Sequence, residues 1–145
     1  MTSKNYEEIK KLKIADICCG SGTFLISVYD FLLERITLAL INADITDSEI
    51  IYQTASGSFN LTLKAKHAFL LENIYGVDIN PYAVEVTKFS LFLKLIENEN
   101  ASSVSYYLTK YQKKVLPSLD ENIKNGNSLV DDKFFDFDKE AVNDD

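Results

Sequence analysis

A glycine-rich turn near the N-terminus constrains the fold more than any other feature of this sequence. The apolar run 13–18 is followed by Gly20-Ser21-Gly22 and then by a long helical pattern over 23–41. This order predicts a strand, a tight turn and a helix. In open parallel sheets such turns expose backbone amides to ligands. We therefore expect an α/β protein with a parallel sheet and a ligand site at the turn.

A second strand and helix are predicted further along the chain. Residues 74–77 form an apolar run that ends at Asp78. Asn80 is suited to cap the next helix and Pro81 to open it. A weak third strand is expected at 122–124, before a polar turn. The pattern indicates a parallel doubly wound sheet that is incomplete at its C-terminal side.

The stretch between these two units is expected to be a helical insert. The helical pattern over 23–41 is apolar on most sides, so something besides the sheet must cover it. Residues 47–72 are the candidate, because Asp47 or Ser48 can cap one helix and residues 65–71 can continue a second.

Two further segments are predicted to lack regular structure. Residues 98–119 alternate polar and aromatic side chains and suggest a loop or an irregular strand. The acidic tail over 131–145 is expected to fray.

The net charge restricts the partners of the chain. It has 145 residues, with 15 Lys and Arg against 22 Asp and Glu, and a net charge of −7. Binding to nucleic-acid phosphates depends on clustered Lys and Arg, so the chain is not expected to bind DNA by itself. The polar N-terminus does not resemble a secretory signal, and charges interrupt the apolar stretch 23–43. These features predict a cytoplasmic protein without a membrane span.

The residues around the glycine turn favour one type of ligand. Position 25 is Leu25, where a dinucleotide fingerprint has its third glycine, and the Gly-Lys-Ser/Thr phosphate loop is absent. Asp16 would repel a phosphate but could accept from an ammonium group. The alternative is a tight turn that binds nothing.

Asp78 lies where a parallel sheet commonly holds a ribose. A carboxylate at the end of the second strand can accept hydrogen bonds from two vicinal hydroxyls. Ile79 could then lie against an adenine ring. In the alternative interpretation Asp78 only caps the following helix.

At these residues the sequence resembles the N6-adenine DNA methyltransferases of type I and large type II restriction-modification enzymes. Their first motif is matched by Asp16, Cys19, Gly20, Ser21, Gly22, Thr23, Phe24 and Leu25. Their second motif is matched by Asn73, Tyr75, Gly76, Asp78, Pro81, Ala83, Val84 and Glu85. Ile17 and Cys18 depart from the first motif, where the family has Pro and Ala.

The resemblance implies a Rossmann-like class I S-adenosylmethionine-dependent methyltransferase fold. Residues 1–130 would be the cofactor-binding part, and Asn127 would meet the adenine amino group of the cofactor. The residues expected to bind S-adenosyl-L-methionine are Asp16, Cys19, Gly20, Ser21, Gly22, Thr23, Phe24, Asp78, Ile79 and Asn127.

The catalytic motif of this family, (Asn/Asp)-Pro-Pro-(Tyr/Phe), is absent from the sequence. Asn80-Pro81-Tyr82 is similar but belongs to the second motif and runs into a helix. No catalytic residue is therefore predicted, and the chain is expected to be an inactive fragment of a DNA adenine methyltransferase. DNA and the family's specificity or nuclease parts would be partners of the full-length enzyme. The alternatives are an RNA or protein methyltransferase fragment and a non-catalytic binding remnant.

The remaining reactive side chains have simpler interpretations. His67 is expected on a helix surface, and no metal site is predicted because no second His or Cys cluster accompanies it. Cys18 and Cys19 are expected to be small buried thiols. The aromatic and basic cluster near the end of the chain is expected to be a solvated loop, with DNA contact as the alternative; it consists of Tyr106, Tyr107, Lys110, Tyr111, Lys113 and Lys114.

Overall fold

The structure, a computed structural model, describes residues 3–110 and 118–129. In chain order its helices and strands are α1 (Ser3–Lys10), β1 (Ile14–Asp16), α2 (Thr23–Asn42), β2 (Ile51–Gln53), β3 (Phe59–Leu61), α3 (Leu63–Asn73), β4 (Ile74–Asp78), α4 (Pro81–Ile96), α5 (Ala101–Lys110) and β5 (Ile123–Asn125). None of the helices in these two ranges combines the length and the apolar character that crossing a membrane would require.

Three strands form a parallel sheet at the centre of the fold. β4 lies in the middle, with β1 on one side and β5 on the other. The register places Asp16 opposite Gly76, and Asp78 opposite Asn125. Because the strands run in the same direction, their carboxyl ends lie along one edge of the sheet. The predicted α/β architecture with a parallel sheet is confirmed.

Close packing of α2 on the sheet depends on a glycine in β4. A Cβ atom built on Gly76 would lie only 2.9 Å from Cδ1 of Leu25 in α2. Leu25, Ile74 and Leu91 of α4 are completely buried in the same core. The outer sides of α2 are covered by α1 and by β3. Something besides the sheet does cover this apolar helix, as its composition requires.

Both strand–helix units begin as the sequence predicts. α2 starts directly after Gly22, which has a left-handed φ of 80°. In α4 the side chain of Asn80 accepts a hydrogen bond of 2.9 Å from the backbone N–H of Tyr82, and Pro81 occupies the first turn. The Asn80 side chain thereby satisfies an amide that would otherwise lack a partner at the start of α4.

The prediction of a wholly helical insert is wrong for its first half. Residues 51–61 contain the antiparallel hairpin of β2 and β3, and only α3 is helical. Asp47 does not cap a helix but accepts from the N–H of Glu49 at 2.9 Å in a turn before β2. The two strands bury Ile51 and Leu61, and they contain Ile51, Tyr52 and Phe59, which are of the β-branched and aromatic types that favour strands.

Two helices were not predicted from the sequence. Residues 101–110 form α5, although 98–119 suggested a loop or an irregular strand. Asn100 starts this helix by accepting from the N–H of Ser103 at 2.7 Å. The N-terminal helix α1 buries Tyr6 against the core. The expectation of a frayed tail over 131–145 lies outside the described residues.

Candidate functional site

The candidate site lies along the carboxyl edge of the sheet, where three turns follow the three strands. The glycine turn, residues 17–22, follows β1; residues 79–80 follow β4; and residues 126–129 follow β5. All ten residues predicted to bind cofactor lie on these turns or at the adjoining element ends. The parallel topology therefore brings the separate sequence motifs to one edge.

The two glycines of this turn have different structural tasks. Both have positive φ, 54° at Gly20 and 80° at Gly22, where a side chain is strained. A Cβ on Gly22 would lie 2.8 Å from Cγ2 of Thr87, so Gly22 is required for packing against α4. A Cβ on Gly20 would meet no atom within 4 Å. The backbone at Gly20 therefore has an open side on which a ligand could lie.

Hydrogen bonds to both its N–H and its carbonyl oxygen hold the backbone of Gly20 in place. Its N–H donates to Oδ2 of Asp78 at 2.8 Å, and its carbonyl oxygen accepts from Oγ1 of Thr87 at 2.8 Å. The preceding amide of Cys19 donates to the carbonyl oxygen of Val77 at 3.0 Å. The glycine turn is thus attached to both β4 and α4.

Asp78 joins the two sequence motifs directly. Its Oδ1 accepts from the N–H of Asn80 at 2.8 Å, while Oδ2 holds Gly20. The amides of Asn80 and then Gly20 lower the pKa of this carboxyl below its ordinary value, so Asp78 is ionised at neutral pH. Each oxygen keeps a further lone pair for a ligand hydroxyl. The helix cap is Asn80, so the interpretation of Asp78 as only a cap is wrong.

The two cysteines behave differently from each other. Cys19 is buried and Cys18 is exposed, so the expectation of two buried thiols is wrong for Cys18. Burial raises the pKa of Cys19, which keeps it a neutral thiol behind the turn. The amide of Cys18 donates to Oδ1 of Asp16, the last residue of β1, at 3.0 Å. The bond uses Oδ1, so Oδ2 of Asp16 could accept from a ligand.

Exposed apolar side chains surround the glycine turn. Ile79 is 72% exposed, and Phe24 and Leu129 are also largely exposed. The position of Ile79 leaves its side chain available to contact a ring. Tyr82 is 80% exposed, but it lies within the first turn of α4, and Asn80 is occupied as a cap. The Asn80-Pro81-Tyr82 segment therefore serves as the start of α4.

Comparison with known proteins assigns the family. The model of the Eco57I restriction-modification methylase family matches residues 72–144. The chain belongs to this family. The matched stretch contains β4, Asp78 and α4, and so includes one half of the site.

Two curated relatives of this methylase are much longer than the chain. The chain is 34% identical over 124 residues to the type II restriction enzyme and methyltransferase RM.Eco57I of Escherichia coli, with 86% of this chain and 12% of that protein covered. It is 35% identical over 124 residues to the "Putative type II restriction enzyme and methyltransferase RM.MjaORFECS2P" of Methanocaldococcus jannaschii, with 86% and 9% covered. The chain thus spans about a tenth of these relatives. No solved structure matches it significantly.

Three polar residues of the site were missed by the sequence analysis. Thr87 holds Gly20 from α4. Asn125 donates from Nδ2 to the carbonyl oxygens of Asp78 and Ile79, both at 3.0 Å. Ser128 donates to the carbonyl oxygen of Ile17 at 2.8 Å and so attaches the third turn to the first. The polar turn at 125–128 was recognised from its composition, but nothing local in the sequence indicated these partners.

The predicted residue Asn127 lies in the third turn and organises it locally. Its Oδ1 accepts from the N–H of Leu129 at 3.0 Å, and the residue is exposed. The bond from Ser128 to Ile17 brings this turn beside the glycine turn. Asn127 therefore lies on the same edge as the glycine turn, and its oxygen already accepts one hydrogen bond.

His67 and its neighbours lie away from this edge. His67 is only 5% exposed and its Nδ1 is 2.6 Å from the hydroxyl of Tyr107, so the prediction of a helix-surface residue is wrong. Tyr107 is buried on α5, and the expectation of a solvated loop is wrong there too, whereas Tyr106 is exposed. Tyr111, Lys113, Lys114 and the side chain of Lys110 lie outside the described residues.

One cleft on the described surface lies beside α5. It has a volume of about 270 Å³, and its walls include Tyr52, Lys64 and Tyr106. It shares no residue with the glycine turn. We therefore place the candidate site by its chemistry at the carboxyl edge and not by the size of a cleft.

Proposed function

We propose that this chain is the S-adenosyl-L-methionine-binding part of an N6-adenine DNA methyltransferase in a restriction-modification system. Residues 1–130 would form this part. The observation that carries the proposal is the bond from the Gly20 amide to Asp78, because it unites the two motifs in one site. Membership in the methylase family supports the same conclusion.

The strand order supports a Rossmann-like class I methyltransferase fold. The first, second and third strands of the parallel sheet lie side by side in chain order, with helices between them. This is the arrangement of one half of a doubly wound sheet, whose ligands bind at the carboxyl ends of the strands. The candidate site lies at that edge.

The residues present fit the proposed cofactor. The open side of Gly20 offers room beside the backbone, and Asp78 offers free lone pairs for a ribose diol. Ile79 would contact the adenine ring, Asn127 its amino group, and Asp16 the methionine ammonium group. Ser21, Thr23 and Phe24 would border the same ligand, and Cys19 would support the turn from behind. When bound, S-adenosylmethionine supplies an electrophilic methyl group.

We propose that DNA binding and base recognition belong to other parts of the full-length enzyme. The net charge of −7 gives little drive to bind phosphates. The relatives are roughly tenfold longer, which leaves room for catalytic, specificity or nuclease parts. The chain alone would bind cofactor in the cytoplasm without methylating DNA.

A cycle of two ligands and two proteins tests the ribose contact. Calorimetry measures the affinities of S-adenosylhomocysteine and of its 2′,3′-dideoxy analogue for the unmutated chain and for the Asp78→Ala variant. The unmutated chain should prefer the ribose ligand about tenfold, since a hydrogen bond to a charged group is worth about 1.5–3 kcal/mol. Asp78→Ala should lose this preference. Asp78 also holds Gly20, so its removal can weaken the binding of both ligands by disturbing the turn. Loss of the preference for the ribose ligand is therefore the informative result.

Asp120→Ala is the matched control for this cycle. Asp120 is an exposed carboxylate bonded to Lys88, outside the site, and its removal should leave the preference intact. An equal preference in the unmutated chain and in Asp78→Ala would refute the ribose assignment. Failure of both ligands to bind the unmutated chain at millimolar concentration would refute the cofactor assignment.

A further inference from the structure

Thr87 is a polar side chain buried behind the glycine turn. It lies on α4, has no exposed surface, and is 67 positions away from Gly20 in the sequence. Its hydroxyl donates to the Gly20 carbonyl at 2.8 Å. Its methyl carbon would lie only 2.8 Å from a Cβ atom built on Gly22. One side chain therefore contacts the turn at both glycines.

Serine and threonine hydroxyls inside a helix often bond to the carbonyl four residues earlier in the same helix. Two residues of α2 do this: the exposed Ser27 bonds to the carbonyl of Thr23 at 3.0 Å, and the half-buried Thr37 bonds to that of Leu33 at 2.8 Å. Thr87 instead directs its hydroxyl out of α4 to another segment. Its polar group is thus used to fix the turn.

We propose that Thr87 is a positioning residue that holds the glycine turn in the conformation that binds the cofactor. It touches no reacting atom and lies on the protein side of the turn. The hydroxyl holds the carbonyl of the peptide group that follows Gly20, and Asp78 holds the N–H of the peptide group that precedes it. With both sides held, the open side of the turn is organised before a ligand arrives, which lowers the cost of binding. The link to cofactor rests on the proposed function; the link to turn geometry does not.

Two substitutions separate positioning from packing. Thr87→Val removes the hydroxyl and keeps the shape, whereas Thr87→Ser keeps the hydroxyl and removes the methyl group. We expect Thr87→Val to bind S-adenosylhomocysteine about fivefold more weakly and to melt at a somewhat lower temperature, because the Gly20 carbonyl loses its buried donor. We expect Thr87→Ser to melt at a lower temperature and to keep its affinity within about twofold. If Thr87 were only structural, the loss of affinity would parallel the loss of melting temperature in both variants.

Thr37→Val is the matched control, because it removes a hydroxyl that bonds within its own helix. It should leave affinity unchanged. Hydrogen exchange supplies a second readout that needs no ligand. The Gly20 and Gly22 amides, bonded to Asp78 and to the Cys19 carbonyl, should exchange several-fold faster in Thr87→Val. The Thr54 amide in the hairpin turn should not change.

The outcomes distinguish this inference from the proposed function. If Thr87→Val keeps both its affinity and its exchange rates, the inference is wrong. It is equally wrong if Thr87→Ser loses as much affinity as Thr87→Val. If the unmutated chain binds no S-adenosylhomocysteine, the proposed function fails, and the exchange rates of Gly20 and Gly22 still decide whether Thr87 positions the turn.

Discussion

The carboxyl edge of the sheet and the outer layer are held together by different kinds of contact. We use "outer layer" for the hairpin of β2 and β3 with α3 and α5. At the edge, backbone groups of the glycine turn bond to Asp78, Val77 and Thr87. In the outer layer the hairpin has its own backbone ladder, and ion pairs join side chains, as between Lys66 of α3 and Glu99, two residues before α5, at 2.7 Å.

This difference separates binding from stability. At the edge the turns are held mainly through their backbone groups, so turn side chains such as Ile79 and Leu129 remain exposed and available to a ligand. In the outer layer each buried polar group needs its particular partner, because an unpaired buried group carries a desolvation cost. We expect substitutions at the edge to alter ligand affinity, and substitutions in the outer layer to alter stability without altering the affinity of the folded protein.

The largest expected effect is that of Gly22→Ala, which should impair both properties. The new Cβ combines an unfavourable positive φ with a 2.8 Å approach to Thr87. We expect a loss of about 3 kcal/mol of unfolding free energy and weaker cofactor binding. Denaturant titration and calorimetry measure the two losses. Gly20→Ala is the control, since only its φ is unfavourable there, and it should lose about 1 kcal/mol. Equal losses would contradict the packing role of Gly22.

A smaller effect is expected in the outer layer from Lys66→Met. This change leaves Glu99, only 5% exposed, without its cation, and Lys66 itself is 15% exposed. We expect a loss of about 2 kcal/mol of unfolding free energy, somewhat below that of a fully buried pair. The affinity of the remaining folded protein for S-adenosylhomocysteine should stay the same. Lys64→Met, which removes an exposed pair with Glu49, is the control and should cost well under 1 kcal/mol. A fall in affinity would break the separation between the two regions.

The smallest effect concerns the carboxyl of Asp78 in acid. Its pKa is lowered in the folded protein by the amides of Asn80 and Gly20. Its contribution to stability is therefore present above the unfolded pKa of about 3.9 and is lost as the pH falls through the lower folded value. Carbon-detected NMR titration of this carboxyl should give a midpoint below 3.9. A midpoint at or above that value would mean that the two amides do not hold the carboxylate.

The sequence analysis was most successful where structure is encoded locally. β1, the glycine turn, β4, α4 and β5 were all predicted. Glycines, the Asn80 cap and Pro81 each act within a few residues of the feature that they determine. The convergence of the motifs followed from the rule that parallel strands share a carboxyl edge.

The parts that were missed depend on contacts between distant residues. The hairpin strands have three residues each and are stabilised by burying Ile51 and Leu61 in the core. α5 places Tyr107 against His67, 40 positions away. Thr87 reaches Gly20 over 67 positions. A local sequence pattern cannot specify these contacts, because each partner lies far away in the sequence.

The bond between Gly20 and Asp78 also has a consequence for how the molecule folds. The two residues are 58 positions apart, so the entropy of closing that loop must be overcome before the bond can form. Contacts of such long sequence separation slow folding. The hairpin and the individual helices can form from nearby residues, whereas the ligand-binding edge exists only after β1 and β4 have paired. A synthetic peptide of residues 13–25 contains both glycines of the turn, but it should not adopt the turn conformation seen in the folded chain.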